Sequence, residues 1–307
     1  MPLPDMHGLL LIDKPQGLTS HDVVSRVRRI CKTRKVGHAG TLDPLATGVL
    51  PVAVGNATKV LQFLLMADKS YRATLRLGET TTTLDSEGAV VARRVLPDSC
   101  RERLEQLLPS FRGRIEQVPP MYSALKKDGV PLYKLARQGQ SVEREPRTVE
   151  IARLEIVSCA LPDVVIEVDC SKGTYIRTLA EDLGNALGCG AHLTALRRLA
   201  SGPFTVDQCV SLERLAETGA AGCVGLVPIE SALSGYPSVE LNSSAAEKLR
   251  FGVPPQTESA GFVQQPEPGS LVCLMHGGQL LAMALYEPGR EREKRGDFEL
   301  LRVFVGA

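Results

Sequence analysis

Between Val36 and Pro51 the chain carries a single carboxylate, Asp43, set among Gly37, Gly40 and Gly48 and followed at once by Pro44. Pro44 keeps Asp43 out of the helical region, and the glycines permit backbone angles closed to other residues, so the stretch is expected to be a shaped loop. Leu50 to Val54 reads as the buried strand that anchors it. An acid fixed in this way and partly stripped of water can act as a nucleophile or carry a proton. The stretch alone does not decide the matter, because an Asp before Pro in a glycine-rich loop is more often a turn or cap residue. Two other side chains could complete a site. Arg177 stands at a helix start, where a cation is mildly unfavourable, and its guanidinium would suit a buried acid as a permanent, two-pronged partner. Tyr71 offers a flat face and a hydroxyl, and only proximity to the acid would turn it from a packing residue into a functional one.

The elements that must place these groups follow from the hydropathy pattern. Gly8 to Ile12 reads as a buried strand, Asp13 to Gly17 as a turn, and Val23, Val24, Val27 and Ile30 as the apolar face of a helix capped by Thr19 or Ser20. Six basic residues crowd the end of that helix and its exit, Arg26, Arg28, Arg29, Lys32, Arg34 and Lys35. They form either a solvated face or a surface for phosphates beside the Asp43 loop. Alternation around Tyr71 marks Lys69 to Leu77 as a half-buried strand, and the polar run from Thr80 to Gly88 suggests that it turns into a hairpin through Val91. Gln117 to Lys126 is too proline-rich for a central strand and is expected to wall a cleft. Val149 to Val157 and Val164 to Cys170 read as strands, Arg177 to Leu187 as a helix, and His192 to Leu199 as an extended segment ending at Gly202-Pro203. Arg197 and Arg198 on that segment are further candidates for phosphate contact. Gly219 to Gly225 resembles a linker, and from Tyr236 the composition shifts to short strands with Gly and Pro.

At 307 residues, with 43% hydrophobic and 23% charged residues, the chain is expected to form a large domain, 1–235, and a small one, 236–307. A net charge of +1 neither demands nor forbids a nucleic-acid partner. Eight cysteines without a C-x-x-C pair suggest reduced thiols of a cytoplasmic protein. Cys189 and His192 form one C-x-x-H pair but no second pair follows, so no metal site is expected. Gly188-Cys189-Gly190 opens like a dinucleotide loop, yet Leu193 stands where the third glycine belongs. The longest apolar run, Leu280 to Tyr286, is too short to cross a membrane.

Several motifs, taken in order, resemble one family, the bacterial TruB-type tRNA pseudouridine synthases. They are Asp13-Lys14-Pro15, Gly37 to Pro44, Lys69-Ser70-Tyr71, the Gly78 to Gly88 turn, Pro119 to Ala124, Gly173 to Arg177 and Leu196-Arg197-Arg198. Jointly they span most of the first 204 residues and are far more specific than any one alone. The resemblance implies an α+β fold, a mixed and largely antiparallel sheet with flanking helices and a cleft, followed by a small β-rich PUA-like RNA-binding domain. It implies isomerisation of uridine 55 in the tRNA T loop by a monomer without a cofactor. Asp43 would be the catalytic carboxylate, Tyr71 would stack on the uracil, and Arg177 would pair with Asp43 and keep it ionised against burial. Tyr175 and Leu196 would line the pocket, His38 would fill space among displaced bases, and Lys14 would be a substrate contact or a structural residue. Asp85 would shape the pocket. Thr82 departs from the family, which commonly carries an acid there. Two other readings stay open, a tRNA-folding chaperone and the catalytic subunit of a guide-RNA particle.

Overall fold

Along Lys69–Leu77 every second residue is buried, so one strand gives one face to the core and the other to solvent. It lies in the middle of a ten-stranded sheet. The strand order is Val210–Ser211, Gly8–Lys14, Thr47–Val54, Ala191–Ser201, Lys69–Leu77, Asp163–Cys170, Arg147–Ala160 and Gly113–Gln117. Val36–His38 and Phe204–Thr205 add short strands to Thr47–Val54 and Ala191–Ser201. Among the described residues two pairings of this sheet are parallel, Gly8–Lys14 with Val210–Ser211 and Thr47–Val54 with Ala191–Ser201. The computed structural model describes residues 7–219, 226–289 and 296–304.

Both faces of the sheet are covered, which explains why Gly8–Lys14 is apolar almost throughout. Leu10 and Ile12 join a core with Val23, Val24 and Val27 of the Ser20–Ile30 helix and Leu179, Leu183 and Leu187 of the Ile176–Leu187 helix. Leu9 and Leu11 point the other way, into a second core shared with Leu280 and Met283. The first helix starts where expected, at a capping box in which Thr19 and Asp22 satisfy each other's backbone amides. A second, five-stranded sheet runs Ala260–Phe262, Ser238–Leu241, Leu271–His276, Gln279–Tyr286, Phe298–Val303. The Ser243–Arg250 helix closes its core, where the rings of Phe262, Tyr286 and Phe298 meet. The fold is therefore the expected α+β one, with a large mixed sheet and a separate β-rich sheet near the C-terminus.

Three local expectations change. Lys69–Leu77 forms no hairpin with the segment through Val91; its neighbours are Ala191–Ser201 and Asp163–Cys170. The chain turns at Gly78, φ +82°, into a separate two-stranded flap of Glu79–Thr81 with Val90–Arg93. Val90 and Val91 stay 45% and 65% exposed, so this pair has no apolar face with which to enter the main sheet. Cys31 is disulfide-bonded, whereas Cys100, Cys159, Cys170, Cys189, Cys209 and Cys273 are free thiols. Arg197, read as a phosphate contact, is clamped by Asp13 at 2.7 and 3.1 Å. The linker stretch beyond Gly219 lies outside the described residues.

Candidate active site

The loop that carries Asp43 is pinned from several sides before its acid is considered. Ala39 N donates to Pro51 O at 2.9 Å and Ala46 N to Asp43 O at 3.0 Å. Ser20 Oγ, at the start of the first helix, accepts from Leu42 N at 2.8 Å and donates to Leu42 O at 3.2 Å. Gly17 N donates to Pro44 O at 2.8 Å, and Lys14 Nζ reaches Leu18 O at 2.5 Å, Pro15 O at 3.0 Å and Pro44 O at 3.4 Å. Lys14 has no exposed surface, and burial lowers its pKa to about 8. The structure thus puts Lys14 underneath the loop and off the cleft wall, and of the two roles left open for it the structural one fits this position. Its methylenes complete the core, and its ammonium satisfies carbonyls that would otherwise be orphaned.

Asp43 meets Arg177 at the floor of a cleft, Oδ2 to Nη2 2.9 Å. The guanidinium is almost fully buried and is caged on its other edges. Nη1 donates to Thr83 O at 3.2 Å and Nη2 to Tyr122 O at 2.8 Å, while the Asp85 carboxylate stands 3.8 Å away. Asp85 in turn accepts from Thr83 Oγ1 at 2.5 Å and Glu87 N at 3.1 Å. The proline-rich wall and the flap after Gly78 therefore share one purpose, because each supplies a carbonyl that fixes Arg177. Asp43 keeps 36% of its side-chain surface open to the cleft. Burial pushes its carboxyl above the ordinary range, Arg177 pulls the other way without cancelling the rise, and Asp85 adds to it. The pairing expected from the sequence is present, with burial the larger influence.

Two hollows of about 340 and 570 Å³ meet at Asp43. The smaller is walled by Lys69, Tyr71, Tyr175, Leu196 and Arg198, the larger by His21, His38, Asp85, Glu87 and Tyr133. Asp43, Tyr71, Arg177, Tyr175 and Leu196 are thus brought together as the sequence suggested, and His38 faces the adjoining hollow. Tyr71 is buried, which raises the pKa of its phenol. Tyr175 is held at both backbone atoms by Gln117, whose Oε1 accepts from Tyr175 N at 3.0 Å and whose Nε2 donates to Tyr175 O at 3.4 Å. Burial lowers the pKa of His38. One contributor escaped sequence reading, Gln117, which lies in the wall segment with no local pattern to mark it. Arg198, read as a phosphate contact, is instead buried on the wall of the smaller hollow.

The chain matches the model described as the TruB family pseudouridylate synthase N-terminal domain over residues 28–176. It matches the tRNA pseudouridylate synthase B C-terminal domain over 177–234. A protein of Syntrophotalea carbinolica named tRNA pseudouridine synthase B is 52% identical, covering 97% of this chain and 98% of that one. One of Geobacter sulfurreducens with the same name is 48% identical, covering 97% and 100%. Among solved structures, one of a Cbf5-Nop10-Gar1 complex superposes with a TM-score of 0.77 at 29% identity, covering 97% of this chain and 85% of that one. One of an H/ACA RNP bound to a substrate RNA gives 0.75 at 28%, covering 98% and 86%. Fold, cleft and family models define a pseudouridylate synthase. Within that class the chain belongs to the TruB family. Among the described residues no helix is long and apolar enough to cross a membrane.

Proposed function

We propose that this chain converts uridine 55 in the T loop of tRNA to pseudouridine, acting as a monomer in the cytoplasm with Asp43 as its catalytic carboxylate. The observation that carries the reading is the Asp43–Arg177 pair at the floor of the cleft beside Tyr71. In the reaction the N1–C1′ bond of uridine breaks and a C5–C1′ bond forms. The C5 proton leaves and N1 gains one, so atoms and electrons balance without a cofactor. The base must first leave its stack, at a cost of a few kcal/mol. Tyr71 offers the face on which it lands, Tyr175 and Leu196 close the sides, and His38, a neutral ring on the adjoining wall, takes up space left by displaced bases. Every route open to Asp43, attack on the ribose or the pyrimidine ring or proton removal from the sugar, needs it ionised and aligned. Residues 1–235 would form the catalytic domain and 236–307 a PUA-like RNA-binding domain.

Incubation of the purified chain alone with unmodified tRNA tests the reading; pseudouridine at position 55 is the expected product. Failure with tRNA bound would favour a folding chaperone. Recovery only with added guide RNA and partner proteins would favour the role suggested by the Cbf5 likeness. The 52% and 48% identical relatives favour the first outcome.

The basic run belongs to the same surface. Arg26, Arg29, Lys32, Arg34 and Lys35 are exposed, and none of them is in an ion pair with the described residues. Thr19, Ser20 and His21, at the start of the same helix, border the larger hollow, so Arg26 and Arg29 lie about one and a half to three helical turns from the cleft rim, and Lys32, Arg34 and Lys35 follow the helix end. They would neutralise phosphates of the tRNA body. Replacing Arg26, Arg29 and Lys32 together by Gln should lower the slope of log Kd against log salt by about 2 to 3. The saturated rate should not change. An unchanged slope would make the run a solvated face.

A further inference from the structure

Arg198 is 1% exposed, among the largest buried side chains, and no carboxylate pairs with it among the described residues. An isolated cation so deep in a protein is costly unless its hydrogen bonds are fully used. Its partners show what it is for. Nε donates to Val49 O at 2.7 Å and Nη2 to Gly40 O at 3.4 Å. Gly40 lies in the loop that carries Asp43, and Val49 in the strand Thr47–Val54 into which that loop runs. The backbone has been fitted to this arrangement, because Gly48, φ +101°, lies opposite Arg198 in the sheet and an added Cβ would come 2.2 Å from Arg198 O. On its other flank Arg198 is the direct cross-strand neighbour of Tyr71, so the two side chains leave the same face of the sheet, and both wall the smaller hollow.

We propose that Arg198 is a positioning residue that staples the Asp43 loop shut and holds the Tyr71 phenol in register with it. A guanidinium has five N–H groups in a rigid fork, enough to bridge two carbonyls and still donate to a phenolic oxygen. With Arg198 donating to the Tyr71 oxygen, the hydroxyl proton of Tyr71 is left to point into the cleft, where a flipped base would lie. The charge also opposes the effect of burial on that phenol. Acid and tyrosine, one on a loop and the other on the strand Lys69–Leu77, are thereby set by a single planar group. Lysine, with one ammonium on a flexible stem, cannot span the loop carbonyl, the strand carbonyl and the phenol.

The inference rests on the pseudouridine reading for its kinetic arm but not for its structural one. Arg198→Lys and Arg198→Met are to be compared with wild type in kcat, KM for tRNA, thermal melting and amide exchange. The expected result is a kcat lower by about 100-fold, the effect of a misplacement near 1 Å. KM should stay within about threefold, with faster exchange at Ala39 and Ala46, whose amides close loop bonds. The Lys variant, which keeps a buried cation, covers the case in which Met fails to fold. Wild-type kcat in the Lys variant, or a loss of kcat matched by an equal rise in KM with loop exchange unchanged, would overturn the proposal. If wild type makes no pseudouridine, the functional reading fails, and loop exchange still reports whether the staple exists.

Discussion

Asp43→Asn is expected to lose at least about 10⁴ in the rate of pseudouridine formation while binding tRNA within about threefold of wild type. The size of the loss follows from the role, since no route to the product begins with an uncharged amide, and removal of a group that reacts as part of a unit costs about this much. The preservation of binding follows from the geometry. Asn is nearly isosteric, and its carbonyl can still accept from Arg177, now 2.9 Å from Oδ2, so the buried guanidinium keeps a partner on that edge. The loop itself is held through Leu42, Pro44 and Ala46 by backbone and by Ser20 and Lys14, none of which touches the carboxylate. Rates on unmodified tRNA together with a filter-binding isotherm decide the matter. Near-normal turnover by the Asn variant would remove Asp43 from the chemistry and leave the cleft as a binding surface.

How far the sequence anticipates this arrangement depends on how local each signal is. The Asp43 loop announces itself through Pro44 and its glycines, and the sheet through alternation such as that of Tyr71, Ala73, Leu75 and Leu77. Arg177 carries a fainter sign, a cation at a helix start where the dipole disfavours it. Its cage has no sign, because Thr83 and Tyr122 contribute carbonyls, which every residue possesses. Arg198 misleads, and the sequence leaves the role of Lys14 open, for a related reason. A basic residue in a polar stretch is usually solvated, and both are buried only because carbonyls far along the chain, such as Pro44 and Val49, come to meet them. The flap at Glu79–Arg93 misleads through strand adjacency, since neighbouring strands in sequence usually pair.

Arg177→Lys and Arg177→Gln should both lose about 10²- to 10³-fold in kcat, and their pH profiles should differ. Arg177 does two things to Asp43 that these variants separate. It positions the carboxylate, because Thr83 O and Tyr122 O hold the guanidinium plane while Asp43 rests on its edge. It also favours ionisation, against burial that raises the Asp43 pKa. The active form of Asp43 is the ionised one, so activity should rise with pH through the folded-state pKa. That acid limb should lie above the ordinary carboxylate range in wild type, since the net displacement is upward. Lys keeps the charge but cannot serve both carbonyls and the carboxylate from one fixed plane, so kcat should fall with a modest displacement of the limb. Gln removes the charge as well, leaving burial and the neighbouring Asp85 opposed only by the more distant Lys14, and the limb should move clearly to higher pH. Profiles of kcat/KM for the three proteins, with melting curves to exclude unfolding, are the measurement. If the Gln limb coincides with that of wild type, Arg177 does not set the charge state of Asp43, and its contribution is positional alone.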